Sequence, residues 1–94
     1  MHRDKFVEEL KERGFELWDK KEMYEVYGKV IYHEDDLGED YEMWYVYNDR
    51  AMRYFSTNRE VRGREMCPFC GRWVKREEYI KHVHECQPMI VWFG

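Results

Sequence analysis

Three cysteines and a histidine in the last third of the chain stand at the spacing of a metal site. Cys67-x2-Cys70 is followed after eleven residues by His82 and after three more by Cys86. A CxxC turn puts two sulfurs on one side of an ion, and positions i and i+4 of a helix share a face and supply the other two donors. Three thiolates and one imidazole suit a tetrahedral zinc. Cys67, Cys70, His82 and Cys86 are therefore the expected metal ligands. All four positions are filled by protein, so no site remains for a reactive water, and the zinc is expected to be structural rather than catalytic. Other uses of the cysteines fit less well. A nucleophilic cysteine would need a third group to orient its base. A disulfide framework would leave one of three cysteines unpaired, and no charged-then-apolar leader precedes them. His84 sits two residues from His82, about 200° round a helix, so both cannot face one ion. It is expected to be exposed, and is the fallback ligand only if the helix starts late.

The run Cys70-Gly71-Arg72-x-Val74-x4-Tyr79-x2-His82-x3-Cys86 resembles short CCHC-type zinc fingers of pattern CGR-x-[FV]-x4-L-x2-H-x3-C. Val74 and Tyr79 stand where that family usually has an aromatic residue and a leucine. Both keep the position apolar. The resemblance covers about twenty residues and implies zinc and a ββα fold, in nucleic-acid-binding or protein-binding settings alike. Cys67-Pro68-Phe69-Cys70 also resembles the dithiol of glutaredoxin-like proteins, but no βαβ pattern surrounds it and that chemistry leaves His82 and Cys86 without a role. In the finger reading a helix spans about 76–86 and stops at Pro88. Tyr79 and Val83 cover the dry side of the site, and Val74 adds to its small core from a short strand.

The elements that must position this site lie upstream. Residues 2–13 read as a helix, with Phe6, Val7 and Leu10 on one apolar stripe and Gly14 as the stop. Residues 15–19, 23–33, 41–47 and 51–57 alternate as strands rich in β-branched and aromatic residues. Tyr24, Val26, Gly28, Val30 and Tyr32 share one face, and Tyr41, Met43, Tyr45 and Tyr47 oppose Glu42, Trp44 and Val46. Turns are expected at 20–22 and 48–50. Glu34, Asp35, Asp36, Glu39 and Asp40 read as a solvated acidic connection; they lack the regular ligand spacing of a calcium loop. His33 beside them reads as an ordinary strand residue. The expected class is α+β: an N-terminal helix on an antiparallel meander over 1–57, a basic linker at 58–66, a ββα finger at 67–87 and an apolar strand or interface segment at 88–94. The closing apolar run, Met89 to Phe93, is expected to return as a strand on the body, the alternative being a subunit contact.

Charge divides the chain. The net charge is −4 over 94 residues. Residues 1–49 carry 7 Lys/Arg against 15 Asp/Glu, and residues 50–94 carry 9 against 5. An acidic body and a basic end face different partners. Arg59, Arg62, Arg64, Arg72, Lys75, Arg76 and Lys81 flank the CxxC turn and are the expected phosphate contacts for DNA or RNA. Their alternative role is to offset three thiolates on zinc and the acids of the body. The tyrosines invite comparison with base-stacking sheets; the expectation is that they pack beneath the helix and along the strands. No stretch approaches a membrane span, and zinc-bound thiols suit a reducing compartment, so the expected location is cytoplasmic. No phosphate-cradling glycine loop or acid/base pair is present, and no enzymatic activity is expected. The function expected is a zinc-binding nucleic-acid accessory or regulatory protein, with a protein-interaction adaptor as the alternative.

Overall fold

The computed structural model describes residues 1–94 as two α-helices, seven strands and one 3-10 turn. Helix α1 (Arg3–Glu12) buries Phe6 and Leu10 and leaves its charges in solvent. Its end is set by Gly14, whose φ of +93° suits a residue without a Cβ. The Gly14 N–H donates to the Lys11 carbonyl, which the helix would otherwise orphan, and the Phe15 N–H joins that of Arg13 on the Leu10 carbonyl. Phe15 then folds back into the same cluster as Leu10.

Strands β1 (Glu16–Lys20), β2 (Glu25–Glu34), β3 (Gly38–Val46) and β4 (Arg50–Thr57) form an antiparallel meander. Strand β7 (Ile90–Trp92) adds to the free edge of β4, giving the order β1-β2-β3-β4-β7. A small second sheet pairs β5 (Arg64–Met66) with β6 (Trp73–Lys75). A 3-10 turn at Arg76–Glu78 then leads into α2 (Tyr79–Glu85). The fold is α+β.

Helix α1 covers one face of the five-stranded sheet. Phe6 and Leu10 meet Tyr27, Trp44, Val46 and Ala51, with Phe6 edge-on to Trp44 at 5.2 Å and Phe93 beside it at 5.5 Å. Val46 and Ala51 are small and fully buried, so the helix can approach there. This choice of face divides the tyrosines of the sheet, with Tyr27 packed beneath α1 and the others along the strands. Tyr24, Tyr45, Tyr47 and Tyr54 lie on the side away from α1, because the strand period of two puts them opposite Trp44 and Val46. There they form a chain of ring contacts, Tyr47–Tyr24–Tyr45–Tyr54, with centroids 5.2–5.6 Å apart. At the other end of this face a bulge in β1 lays Trp18 directly on Gly28. Any Cβ at Gly28 would sit 2.0 Å from the indole, so only glycine admits it.

The acidic connection is also shorter than expected. Only Asp35–Leu37 lies between β2 and β3, and Asp40 belongs to β3, where it is 4% exposed. A second register shift, between Val30 and Tyr32, sets Tyr32 opposite Asp40 on the helix-bearing side. This pair anchors the C-terminal module.

A candidate metal centre and its basic face

The C-terminal module is fixed to the edge of β4 by both of its chain crossings. The Phe55 N–H donates to the Pro68 carbonyl at 2.8 Å as the chain enters, and the Arg53 N–H to the Met89 carbonyl at 3.0 Å as it leaves. Between them Gly71, at φ +78°, packs against the Phe55 ring, and Phe69 reaches Tyr54 at 6.2 Å. Of the segment read as a linker, Asn58 is tied to Glu39 through both its N–H and its side-chain oxygen. Arg64–Met66 is β5, and the Arg76 N–H donates to the Gly63 carbonyl at 3.0 Å.

Within the module, the β5–β6 hairpin presents Cys67 and Cys70 on the turn between its strands, and α2 presents His82 with Cys86 one turn later. The Gly71 N–H donates to the Cys67 carbonyl and the Cys67 N–H to that of Arg72, which closes the turn tightly. Cys67 is fully buried; Cys70, His82 and Cys86 are half-buried. Their donor atoms all lie within 4.8 Å of one another. Zn–S bonds of about 2.3 Å require tetrahedral edges of roughly 3.8 Å between sulfurs. Cys70 Sγ and His82 Nε2 are 3.3 Å apart, which identifies Nε2 as the imidazole donor. Tyr79 and Val83 are half-buried along the inward side of α2, while His84 is exposed and outside the cluster.

The thiols themselves call for a cation. Burial raises the Cys67 thiol, but the backbone amides of Cys70 and Phe69 outweigh it and hold the group below its ordinary value. Cys86 is driven the other way, up to about 11, by burial and by the neighbouring Cys67 and Cys70 sulfurs. Three sulfurs this close cannot all ionise unless a positive ion compensates them. A soft divalent metal is what this donor set fits.

The basic residues do not behave as a group. Arg59 is committed to the body. Its Nε and Nη2 donate to the two oxygens of Asp40 at 2.8 and 2.7 Å, and its guanidinium lies between the Tyr32 and Trp73 rings. Thr57 Oγ1 and Trp73 Nε1 donate to the same carboxylate. Burial raises the Asp40 carboxyl, but the hydrogen bonds from Arg59, Thr57 and Trp73 prevail and hold it below the usual carboxylate range. Asp40 is thus not one of the solvated acids expected from the sequence. The signal that could have found it is the alternation Asp40, Glu42, Trp44, Val46, which puts it on the face that α1 and the module share.

Arg62, Arg64, Arg72, Lys75, Arg76 and Lys81 are exposed. Arg76 has Glu65 at 3.3 Å; the other five have no carboxylate within ion-pair distance. In the body Arg3, Arg13, Lys21 and Arg50 each have an acidic neighbour, while Lys5, Lys11, Lys20, Lys29 and Arg53 have none. An open cleft of about 580 Å³ lies beside the hairpin, with Arg62, Arg64, Arg76, Val61, Met66 and Trp73 along its walls. No helix in the chain is long and apolar enough to cross a membrane. No protein-family model, no curated protein and no solved structure matches this chain.

Proposed function

We propose that the C-terminal module is a CCHC zinc finger with a structural ion, and that the chain is a nucleic-acid-binding accessory or regulatory protein. The zinc rests on the convergence of Cys67, Cys70, His82 and Cys86. The observation that supports the nucleic-acid reading is the gathering of unpaired cations on the small, net basic C-terminal module. Exposed Arg62, Arg64, Arg72, Lys75 and Lys81 carry no internal partner, although the chain is acidic overall and has carboxylates to spare. Unpaired cations gathered on one module attract phosphates and release their counterions on contact.

The test is a titration of the zinc-loaded chain with labelled single- and double-stranded DNA and RNA at several salt concentrations. Up to five phosphate contacts at about −0.7 to −0.9 each predict a slope of log affinity against log salt no steeper than roughly −3.5 to −4.5. Absence of binding at low salt overturns the reading.

A second reading, a protein-interaction adaptor, is favoured by the sheet face that α1 leaves open. Trp18 is 43% exposed there, and Ile90 and Trp92 on β7 are 39% and 63% exposed. Apolar side chains exposed on an open sheet face are candidates for a protein contact. Binding to a protein partner that persists at high salt, with no affinity for nucleic acid, would make this reading the better one.

A further inference from the structure

We infer that the cleft beside the β5–β6 hairpin holds an unpaired nucleotide of a single strand, and that α2 takes no part in reading it. This rests on the nucleic-acid reading above and narrows it. In a groove-reading finger the helix enters the major groove and its outward residues meet base edges. Here α2 has seven residues, a length of about 10 Å. Its outward surface carries Ile80, Lys81, His84 and Glu85, and the turn before it exposes Glu77 and Glu78. Three carboxylates against Lys81, with Arg76 of the same turn already facing Glu65, would meet phosphates on either wall of a groove and be repelled.

The hairpin side has the opposite character. Arg59 and Arg76 are matched by Asp40 and Glu65, which leaves Arg62 and Arg64 as the free charges of the cleft, with Glu60 the one unmatched acid. The cleft also has an apolar wall of Val61, Met66 and the half-buried Trp73. A concave site of about 580 Å³ lies within the roughly 300–1,000 Å³ typical of small-molecule sites. A cleft of that size can hold one base swung away from its strand, whereas a duplex keeps its bases stacked and paired. Base against indole and phosphate against arginine is the pairing by which single strands are held without a sequence code. Trp73 is fixed for this role, since its Nε1 donates to buried Asp40 and Arg59 lies over its ring.

The experiment measures fluorescence anisotropy of a short labelled oligonucleotide, as RNA and as DNA, single-stranded and annealed to its complement, with the full zinc-loaded chain. Two variants are compared: the double change Arg62→Ala with Arg64→Ala, and Lys81→Ala. All three side chains are exposed, so zinc content and circular dichroism are expected to be unchanged in both. The inference predicts single strands bound about tenfold or more tightly than the duplex, a loss of about tenfold in the arginine variant, and less than about twofold change for Lys81→Ala. The RNA and DNA arms show which strand is preferred. Equal or tighter duplex binding, an arginine variant that binds normally, or a Lys81→Ala loss as large as the arginine loss overturns the inference and leaves the nucleic-acid reading standing. No binding to any of the four probes overturns both.

Discussion

The five-stranded body and the cysteine module achieve order by different means. The body has a conventional interior: Phe6, Leu10, Phe15, Tyr27, Trp44, Val46 and Ala51 are all buried together. Each large apolar side chain removed from water in this way contributes about 1.5–3 kcal/mol. Helix α2 buries no residue fully, and the buried residues of the module are Met66 and Cys67. Its two three-residue strands and seven-residue helix cannot stand on packing alone. The charges divide the same way. Acids outnumber bases by 15 to 7 over residues 1–49, whereas bases outnumber acids by 9 to 5 over residues 50–94. A body packed around its own core therefore carries a small element whose four converging donor atoms could be held by a metal ion.

The largest expected effect breaks that element alone. Chelation of the metal, or His82→Ala, should melt residues 64–86 while the sheet and α1 persist, because ligation supplies the folding energy of such modules. Amide hydrogen exchange can follow this residue by residue. Loss of protection confined to β5, β6 and α2 is the expected pattern. A global collapse would show that the body leans on the module, and unchanged protection would show that the module needs no metal.

The next effect tests the joint between the two regions. Asp40→Asn leaves the half-buried Arg59 guanidinium without its counter-charge, and breaking such a pair costs about 3 kcal/mol or more. Urea unfolding of the zinc-loaded protein measures it. The same carboxylate gives the joint its acid sensitivity. Its folded-state pKa is depressed, so its contribution is present above the unfolded value of 3.8 and is lost as pH falls through the lower folded value. The wild-type chain should therefore lose more stability than Asp40→Asn over that acid window.

A smaller change falls where the module touches β4. Gly71→Ala puts a Cβ 2.8 Å from the Phe55 ring at a φ of +78°, and should cost about 1–2 kcal/mol while leaving the metal bound. The smallest expected effect is that of His84→Ala. That side chain is exposed and outside the donor cluster, so zinc content should be unchanged.

Much of this organisation was legible in the residues. The stripe Phe6–Val7–Leu10 and the Gly14 stop mark a helix found at Arg3–Glu12, and strand alternation marks the meander. The ligand spacing names four residues that the fold brings within 4.8 Å of one another. What periodicity cannot supply is the choice of face. Both sides of β3 are aromatic, and whether α1 covers Trp44 or Tyr45 is decided by Val46 and Ala51, small residues on two different strands. Asp40 was hidden for a related reason. Its carboxylate is buried only because Arg59 and Trp73, far along the chain, converge on it. Strand β5 was illegible because its three residues are too short and too charged to show a pattern, and its pairing depends on the CxxC turn.

The claim on which the rest depends is that these four side chains hold one zinc ion. Zinc content should be measured on the intact chain and on Cys70→Ser, side by side, after dialysis against a competing chelator. The account predicts one zinc per intact chain and loss of zinc from the variant. An intact chain without zinc, or a Cys70→Ser chain that keeps a full equivalent, would contradict it.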